Sequence, residues 1–352
     1  VDNTSDGLDH LPPPVPLPPL LLLPTSLAPL HWKYTFTIVT RHKEGMIRRL
    51  WNRKKAMRRF LMILPTGVLA YGVGVQALAF SRMSQPLCES KLTERLKEYE
   101  RSKPKKVLLL DGGLASELQN NGFDVDSDPL WSARLLHTNP KAIRDVHLAY
   151  LRAGSRVVTT ASYQASMKGF KEHLGFSDLE ALQLINRSVS IAREAIAEYL
   201  NELNSNHPPE LWIAGSVGPY GACLHDGSEY SGSYIDTVTK HQLKEWHKPR
   251  IKALVEAGAD VLAVETIPSM IEAKVVVDLL ESDFPSSKAW VTFTCRNERE
   301  TARGEKFEDA VRSICESSQV IGIGVNCCDP NITSSLLEKG AKVLQSSNST
   351  AV

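Results

Sequence analysis

Six short apolar runs, each closing on polar, small or cysteine residues, recur between positions 107 and 325 with amphipathic stretches between them. They cover 107–110, ending in Asp111-Gly112-Gly113; 156–160, ending in Ala161-Ser162-Tyr163; and 211–217, ending in Gly218-Pro219-Tyr220. The others cover 261–264, ending in Glu265-Thr266; 289–294, ending in Cys295-Arg296; and 320–325, ending in Asn326-Cys327-Cys328. The spacing of apolar residues by three and four predicts helices over 142–153, 179–203, 238–257 and 269–280. Apolar strands alternating with amphipathic helices imply parallel strands covered by helices. A doubly wound sheet would carry a Gly-rich phosphate turn after its first strand, and Asp111-Gly112-Gly113-Leu114-Ala115-Ser116 does not have that pattern. The expectation is an α/β fold of the (β/α)8 TIM-barrel type, with its active site at the C-terminal strand ends.

The first hundred residues read differently. Seven prolines interleaved with leucines lie between Pro12 and Pro24, a pattern of extended, unpacked chain. Nine Lys/Arg and one acid follow over 41–59, and then an apolar run over 60–80. A basic flank meeting about 20 apolar residues has the layout of a signal-anchor or membrane span. Pro65, Gly67, Gly72, Gly74 and Gln76 interrupt it, which favours upstream sequence with no part in the mature protein. The chain opens on Val1, as a processed product, a fragment or an imperfect gene model would. Domain expectations are a non-globular extension over 1–82, a linker helix within 83–105 and the barrel over 106–352. The location expected is the cytoplasm, with anchoring through 60–80 as the alternative. Six scattered cysteines in 352 residues do not form a secreted disulfide framework. A net charge of +1 gives no reason to expect nucleic acid as a partner.

The strand ends gather two carboxylates (Asp111 and Glu265), two hydroxyls (Thr160 and Ser162), glycine amides and the Cys327–Cys328 pair. Such a set suits a small zwitterion, with carboxylates accepting from its ammonium and amides and hydroxyls donating to its carboxylate. A strand-end cysteine is a metal ligand, a nucleophile or small apolar filler, and position alone does not choose.

Several segments, in order, resemble the homocysteine S-methyltransferase family. They are Asp111-Gly112-Gly113-Leu114-Ala115-Ser116-Glu117-Leu118, Asp128-Pro129-Leu130-Trp131, Val146-His147-Leu148-Ala149-Tyr150, Thr160-Ala161-Ser162-Tyr163-Gln164, Gly215-Ser216-Val217-Gly218-Pro219-Tyr220-Gly221, Val264-Glu265-Thr266-Ile267-Pro268 and Gly324-Val325-Asn326-Cys327. The stretch Asp226-Gly227-Ser228-Glu229-Tyr230-Ser231-Gly232 is similar to the branch using S-methylmethionine, which makes betaine the least expected donor. The resemblance implies methyl transfer from a sulfonium donor, S-methylmethionine or S-adenosylmethionine, to a zinc-activated homocysteine thiol, giving methionine. It implies that Asp111 and Glu265 hold the homocysteine ammonium, that Thr160 and the Gly112–Gly113 amides contact its polar end, and that Trp131 walls the donor side. It also implies Cys327 as a ligand of Zn2+.

The family's other two zinc cysteines lie in a Gly-Gly-Cys-Cys motif that this sequence lacks. Cys328 is a poor substitute, because successive strand residues point to opposite faces. Beyond a helix-like stretch over 332–339, residues 342–345 supply at most a weak seventh strand. The expectation is therefore a barrel lacking its last one or two strands, with an incomplete zinc site. Two alternatives stand beside the methyltransferase: a non-catalytic truncated barrel, tethered to a membrane through 60–80, and a metal-free barrel enzyme using Asp111 and Glu265 as acid and base. Oligomeric state is not readable.

Overall fold

The computed structural model describes residues 91–102 and 108–349, together with two three-residue strands, Leu61–Ile63 and Leu69–Tyr71, that pair antiparallel. The proline-rich and basic segments, and most of the 60–80 run, lie outside the described residues. Among the described residues no helix is long and apolar enough to cross a membrane.

Five parallel strands form one sheet: β1 (Val157–Thr159), β2 (Trp212–Val217), β3 (Val261–Ile267), β4 (Ala289–Phe293) and β5 (Val320–Val325). Each pairs with the next in chain order, so the sheet winds in one direction without the reversal of a doubly wound fold. The expected strand over 107–110 appears as a parallel bridge between Leu110 and Val157, flanked by the amide of Arg156 donating to the Leu109 carbonyl at 2.7 Å. The result is a singly wound, open parallel wall of five strands among the described residues, fewer than the six or seven expected of an incomplete (β/α)8 barrel, and it does not close. Residues 342–345, expected as a weak strand, lie inside the helix Pro330–Ser349. The polar positions Lys342, Gln345 and Ser346 do not alternate with period two, so the segment lacks the pattern that seats a strand.

The helices of seven or more residues among the described residues are α1 (Lys91–Arg101), α2 (Leu114–Asn120), α3 (Pro140–Arg152), α4 (Met167–Leu174), α5 (Asp178–Leu203), α6 (Lys240–Glu256), α7 (Met270–Asp283), α8 (Phe307–Ile314) and α9 (Pro330–Ser349). Their starts are written locally. Ser177 and Glu180 form a capping box at α5, Thr239 and Gln242 form another at α6, and Ser269 caps α7 through the amides of Ile271 and Glu272.

The two faces of the sheet bury different partners. Alternate residues such as Val158, Ile213, Val217, Leu262, Val264, Val291 and Phe293 belong to the large core shared with the helices. The opposite face carries Val157, Trp212, Ala214, Val261, Ala263 and Trp290, and Leu92 and Leu96 of α1 pack on it. So α1 covers one face of the wall near the starts of its strands. Along that same face the side chains change character towards the strand ends. Trp212 and Ala214 lead to Ser216; Val261 and Ala263 lead to Glu265; Trp290 leads to Thr292. The period of two places these polar groups in one row above an apolar floor.

Candidate active site at the strand ends

Three sets of hydrogen bonds, joined through adjacent residues of the chain, form a line across the C-terminal ends of the strands. Asp111 accepts from the Thr159 amide at 2.6 Å and from the Thr159 hydroxyl at 2.6 Å. The Thr160 hydroxyl lies 2.7 Å from that of Ser162 and accepts from the Ser216 amide at 2.9 Å. Ser162 donates to the Ser216 carbonyl at 2.7 Å, and the Ser216 hydroxyl donates to Glu265. Beyond Glu265, Asn326 makes a two-point clamp on Thr266. Its side-chain oxygen accepts from the Thr266 amide at 2.7 Å and its nitrogen donates to the Thr266 hydroxyl at 2.8 Å. That hydroxyl is 3.5 Å from the Cys327 sulfur.

The backbone is bent to make this line. Thr266 has φ 61° and Cys327 φ 50°, a left-handed conformation that is costly for a β-branched residue. Pairing of β3 with β4 also shifts register between Val264 and Ile267. A bulge of this kind re-aims side chains where a strand leaves its sheet. Here it accompanies Glu265 and Thr266, the last two polar groups before Cys327.

Burial sets the electrostatics. Asp111 is 4% and Glu265 6% exposed, and the Glu265 charge lies near enough to raise the cost of ionising Asp111. Burial pushes Asp111 up to about 7; the Thr159 hydrogen bonds oppose this, and the charge of Glu265 adds to it. A cation placed beside Asp111 would favour its ionised form. Tyr150, on α3, donates to the Gly113 carbonyl at 3.3 Å and so holds the Gly112–Gly113 turn that follows Asp111. Burial raises the phenols of Tyr163 and Tyr230, and both stand near enough to Cys327 for a thiolate there to raise them further.

Of the residues expected from sequence, the line joins Asp111, Thr160, Glu265 and Cys327, and Gly112–Gly113 adjoin it. Trp131 opens a 3-10 turn, Trp131–Arg134, with φ 47°, and stands outside the line. Ser216, Thr266 and Asn326 also lie in the line; the sequence placed Thr266 and Asn326 at strand ends without a role and left Ser216 inside its strand. The alternation Trp212-Ala214-Ser216 on one strand face was the available signal. Cys328 does not join Cys327. Its thiol is buried and pushed up to about 12 by burial first and by Cys327 second, and it interacts with Thr333. Among the described residues no three His, Cys, Asp or Glu side chains are placed to hold a metal ion. A zinc ion bound by three thiolates therefore does not fit the described residues: Cys327 offers one thiol, and its neighbours are an alcohol and an amide.

Against this geometry, the family model described as homocysteine S-methyltransferase matches residues 108–350. The chain belongs to the homocysteine S-methyltransferase family. A betaine-homocysteine S-methyltransferase of Drosophila melanogaster is 41% identical over 248 residues, covering 68% of this chain and 75% of its own length. A homocysteine S-methyltransferase of Escherichia coli is 42% identical over 232 residues, covering 66% of this chain and 73% of its own length. Of solved structures, the metallated form of the Escherichia coli homocysteine methyltransferase MmuM superposes with a TM-score of 0.60 at 41% identity, covering 65% of this chain and 77% of that one. Its oxidized form gives 0.61 at 41% identity, covering 65% and 76%. The names of these methyltransferase relatives agree on homocysteine, and the Drosophila melanogaster protein's name adds betaine as the donor.

Proposed function

We propose that the chain transfers a methyl group from a sulfonium donor, S-methylmethionine or S-adenosylmethionine, to the sulfur of homocysteine, giving methionine. The observation that carries this reading is the polarity of the strand-end line, with two buried carboxylates at one part and the Cys327 thiol at the other. Asp111 and Glu265 hold the substrate ammonium. The Gly112–Gly113 amides meet its carboxylate, the Thr160 hydroxyl, whose proton goes to Ser162, offers a lone pair to the ammonium, and Trp131 faces the donor, where an aromatic ring can stabilise a sulfonium. Anchored in this way, the substrate carries its sulfur towards Cys327, which matches the family's first zinc ligand and is the single ligand position these residues offer.

The chemistry is a displacement in line. The homocysteine thiol, whose ordinary pKa is about 8.5, first gives up its proton to solvent. The thiolate lone pair then forms the new S–CH3 bond as the sulfonium C–S bond breaks, and the bonding electrons leave with a neutral thioether. One negative and one positive centre become two neutral thioethers. An apolar wall around the reacting atoms favours such charge neutralisation, and fixed orientation lowers the entropic barrier.

The test is methionine formation from homocysteine with S-methylmethionine, S-adenosylmethionine and betaine supplied in turn, together with calorimetric binding of homocysteine. Sulfonium-dependent methionine supports the proposal. Turnover with betaine alone would overturn the donor assignment, and a chain that neither binds nor methylates homocysteine would overturn the whole reading.

A further inference from the structure

Behind the strand-end line, α6 and α7 bury three ionisable side chains that the displacement itself does not use. Glu272 and His247 are 0% and Arg250 1% exposed. The Glu272 carboxylate accepts from the Tyr220 amide at 2.7 Å, from His247 Nε2 at 2.9 Å and from the Tyr234 hydroxyl. Because Nε2 donates, Nδ1 is free to accept, and Arg250 lies 3.3 Å from it. The Arg250 guanidinium also donates to the Gly218 carbonyl and to the Tyr163 carbonyl at 3.4 Å, and it stacks on Trp246 at 4.1 Å from the ring centre.

Two features separate this cluster from ordinary packing. Burying a carboxylate and a guanidinium is costly, and apolar residues of similar size fill a core equally well. Moreover, every backbone group and hydroxyl the cluster holds outside its own helices belongs to the segments leaving β1 and β2. Arg250 ties the Tyr163 carbonyl to the Gly218 carbonyl, while Glu272 ties down both ends of the 220–234 loop. There is no slack at the crossing. A Cβ on Gly218 would stand 2.5 Å from the Tyr163 carbonyl oxygen, and one on Gly221 would stand 2.5 Å from the Tyr234 ring. Between the gripped points the loop carries Glu229, 5% exposed, and Tyr230, which stands near Cys327.

We infer that Glu272, His247 and Arg250 are positioning residues for the methyl donor: they fix the 218–234 loop so that Glu229, Tyr230 and Tyr163 form the wall against which the sulfonium lies. This rests on the sulfonium reading above. The homocysteine anchors, Asp111, Thr160 and Glu265, make none of the cluster's hydrogen bonds. Loosening the loop therefore affects the donor and spares homocysteine.

The test uses the full chain and two variants. Tyr234→Phe removes one hydroxyl from Glu272 and keeps the ring. Arg250→Lys keeps the charge but cannot span the Gly218 and Tyr163 carbonyls together. Calorimetry with S-methylmethionine and with homocysteine needs no turnover, and amide hydrogen exchange over 218–236 reads the loop directly. The expected result is a donor Kd raised about tenfold, the loss of roughly one charge-assisted hydrogen bond, with homocysteine Kd changed less than twofold and faster exchange confined to the loop. Equal weakening of both ligands, or unchanged donor Kd and loop exchange in both variants, would overturn the inference. If the wild-type chain binds homocysteine but no sulfonium, the donor reading fails, and hydrogen exchange still decides whether the cluster holds the loop.

Discussion

Asp111 sets a pH signature that can be worked out from its surroundings. Its carboxyl moves from 3.8 to about 7, with burial the largest cause. In the unfolded chain the group loses its proton near its ordinary value, while in the folded chain it keeps it to near neutrality. Between those two points the native state holds more protons than the unfolded state, so this group's contribution to stability falls as pH rises. The shift corresponds to a cost on the order of 4 kcal/mol once the folded carboxylate is ionised. Asp111→Asn removes the charge and keeps the shape: the amide oxygen accepts from the Thr159 N–H, and the amide nitrogen donates to the Thr159 hydroxyl. Any pH-independent effect of the substitution cancels when two pH values are compared. The stability of the variant relative to wild type should therefore increase by ~2–3 kcal/mol between pH 5 and pH 8. For a domain of this size that is a change of roughly 5–10 °C in the melting-temperature difference.

Thermal melts of both proteins across that range measure it, with homocysteine titrations alongside. The ammonium of homocysteine replaces the missing counter-charge, so wild-type affinity should rise with pH up to about 7 and then level off. The Asn variant should bind ~10–100-fold more weakly at pH 8, the worth of a hydrogen bond to a charged group. A variant-minus-wild-type melting difference that stays constant or falls from pH 5 to pH 8 would refute the burial argument. An affinity for homocysteine that the Asn substitution leaves intact would refute the role assigned to the carboxylate.

Three further outcomes follow from the same geometry. Leu96→Ala on α1 should cost ~2–4 kcal/mol in denaturant unfolding, because it opens a cavity against Trp212 and Trp290; a cost under ~0.5 kcal/mol would mean α1 does not cover that face. Asn326→Ala should lose ~2–3 kcal/mol and lower methyl transfer, because it strands the Thr266 amide and releases the left-handed turn at Cys327; a variant with wild-type stability would remove the clamp from the account. The 352-residue polypeptide should not retain one zinc per chain through dialysis, because its described residues bring no three metal-ligating side chains together; stoichiometric metal by elemental analysis would show that other residues complete the site.

The strands and helices were legible because their apolar periods are regular, and Asp111, Thr160, Glu265 and Cys327 were legible because each ends an apolar run. What joins them was not. Ser216 looks like one small residue inside the strand Trp212–Val217, and only the pairing of β2 with its neighbours places its amide on Thr160 and its hydroxyl on Glu265. Thr266 and Asn326 are hidden for another reason. A β-branched residue predicts extended backbone, and the φ of 61° at Thr266 exists because Asn326, sixty positions later, satisfies both its amide and its hydroxyl. Local propensity yields here to a long-range hydrogen bond, which a periodicity argument does not contain. The Glu272–His247–Arg250 cluster shows the same limit from the other side. On a helical pattern each reads as a polar residue to be placed in solvent, and α6 even contains Pro249 beside Arg250. Their burial makes sense only when the loops they hold are in view, as a polar layer between the helices and the strand ends. A chain of this family can thus be recognised from the groups that meet the substrate, while the groups that aim them are read only from the fold.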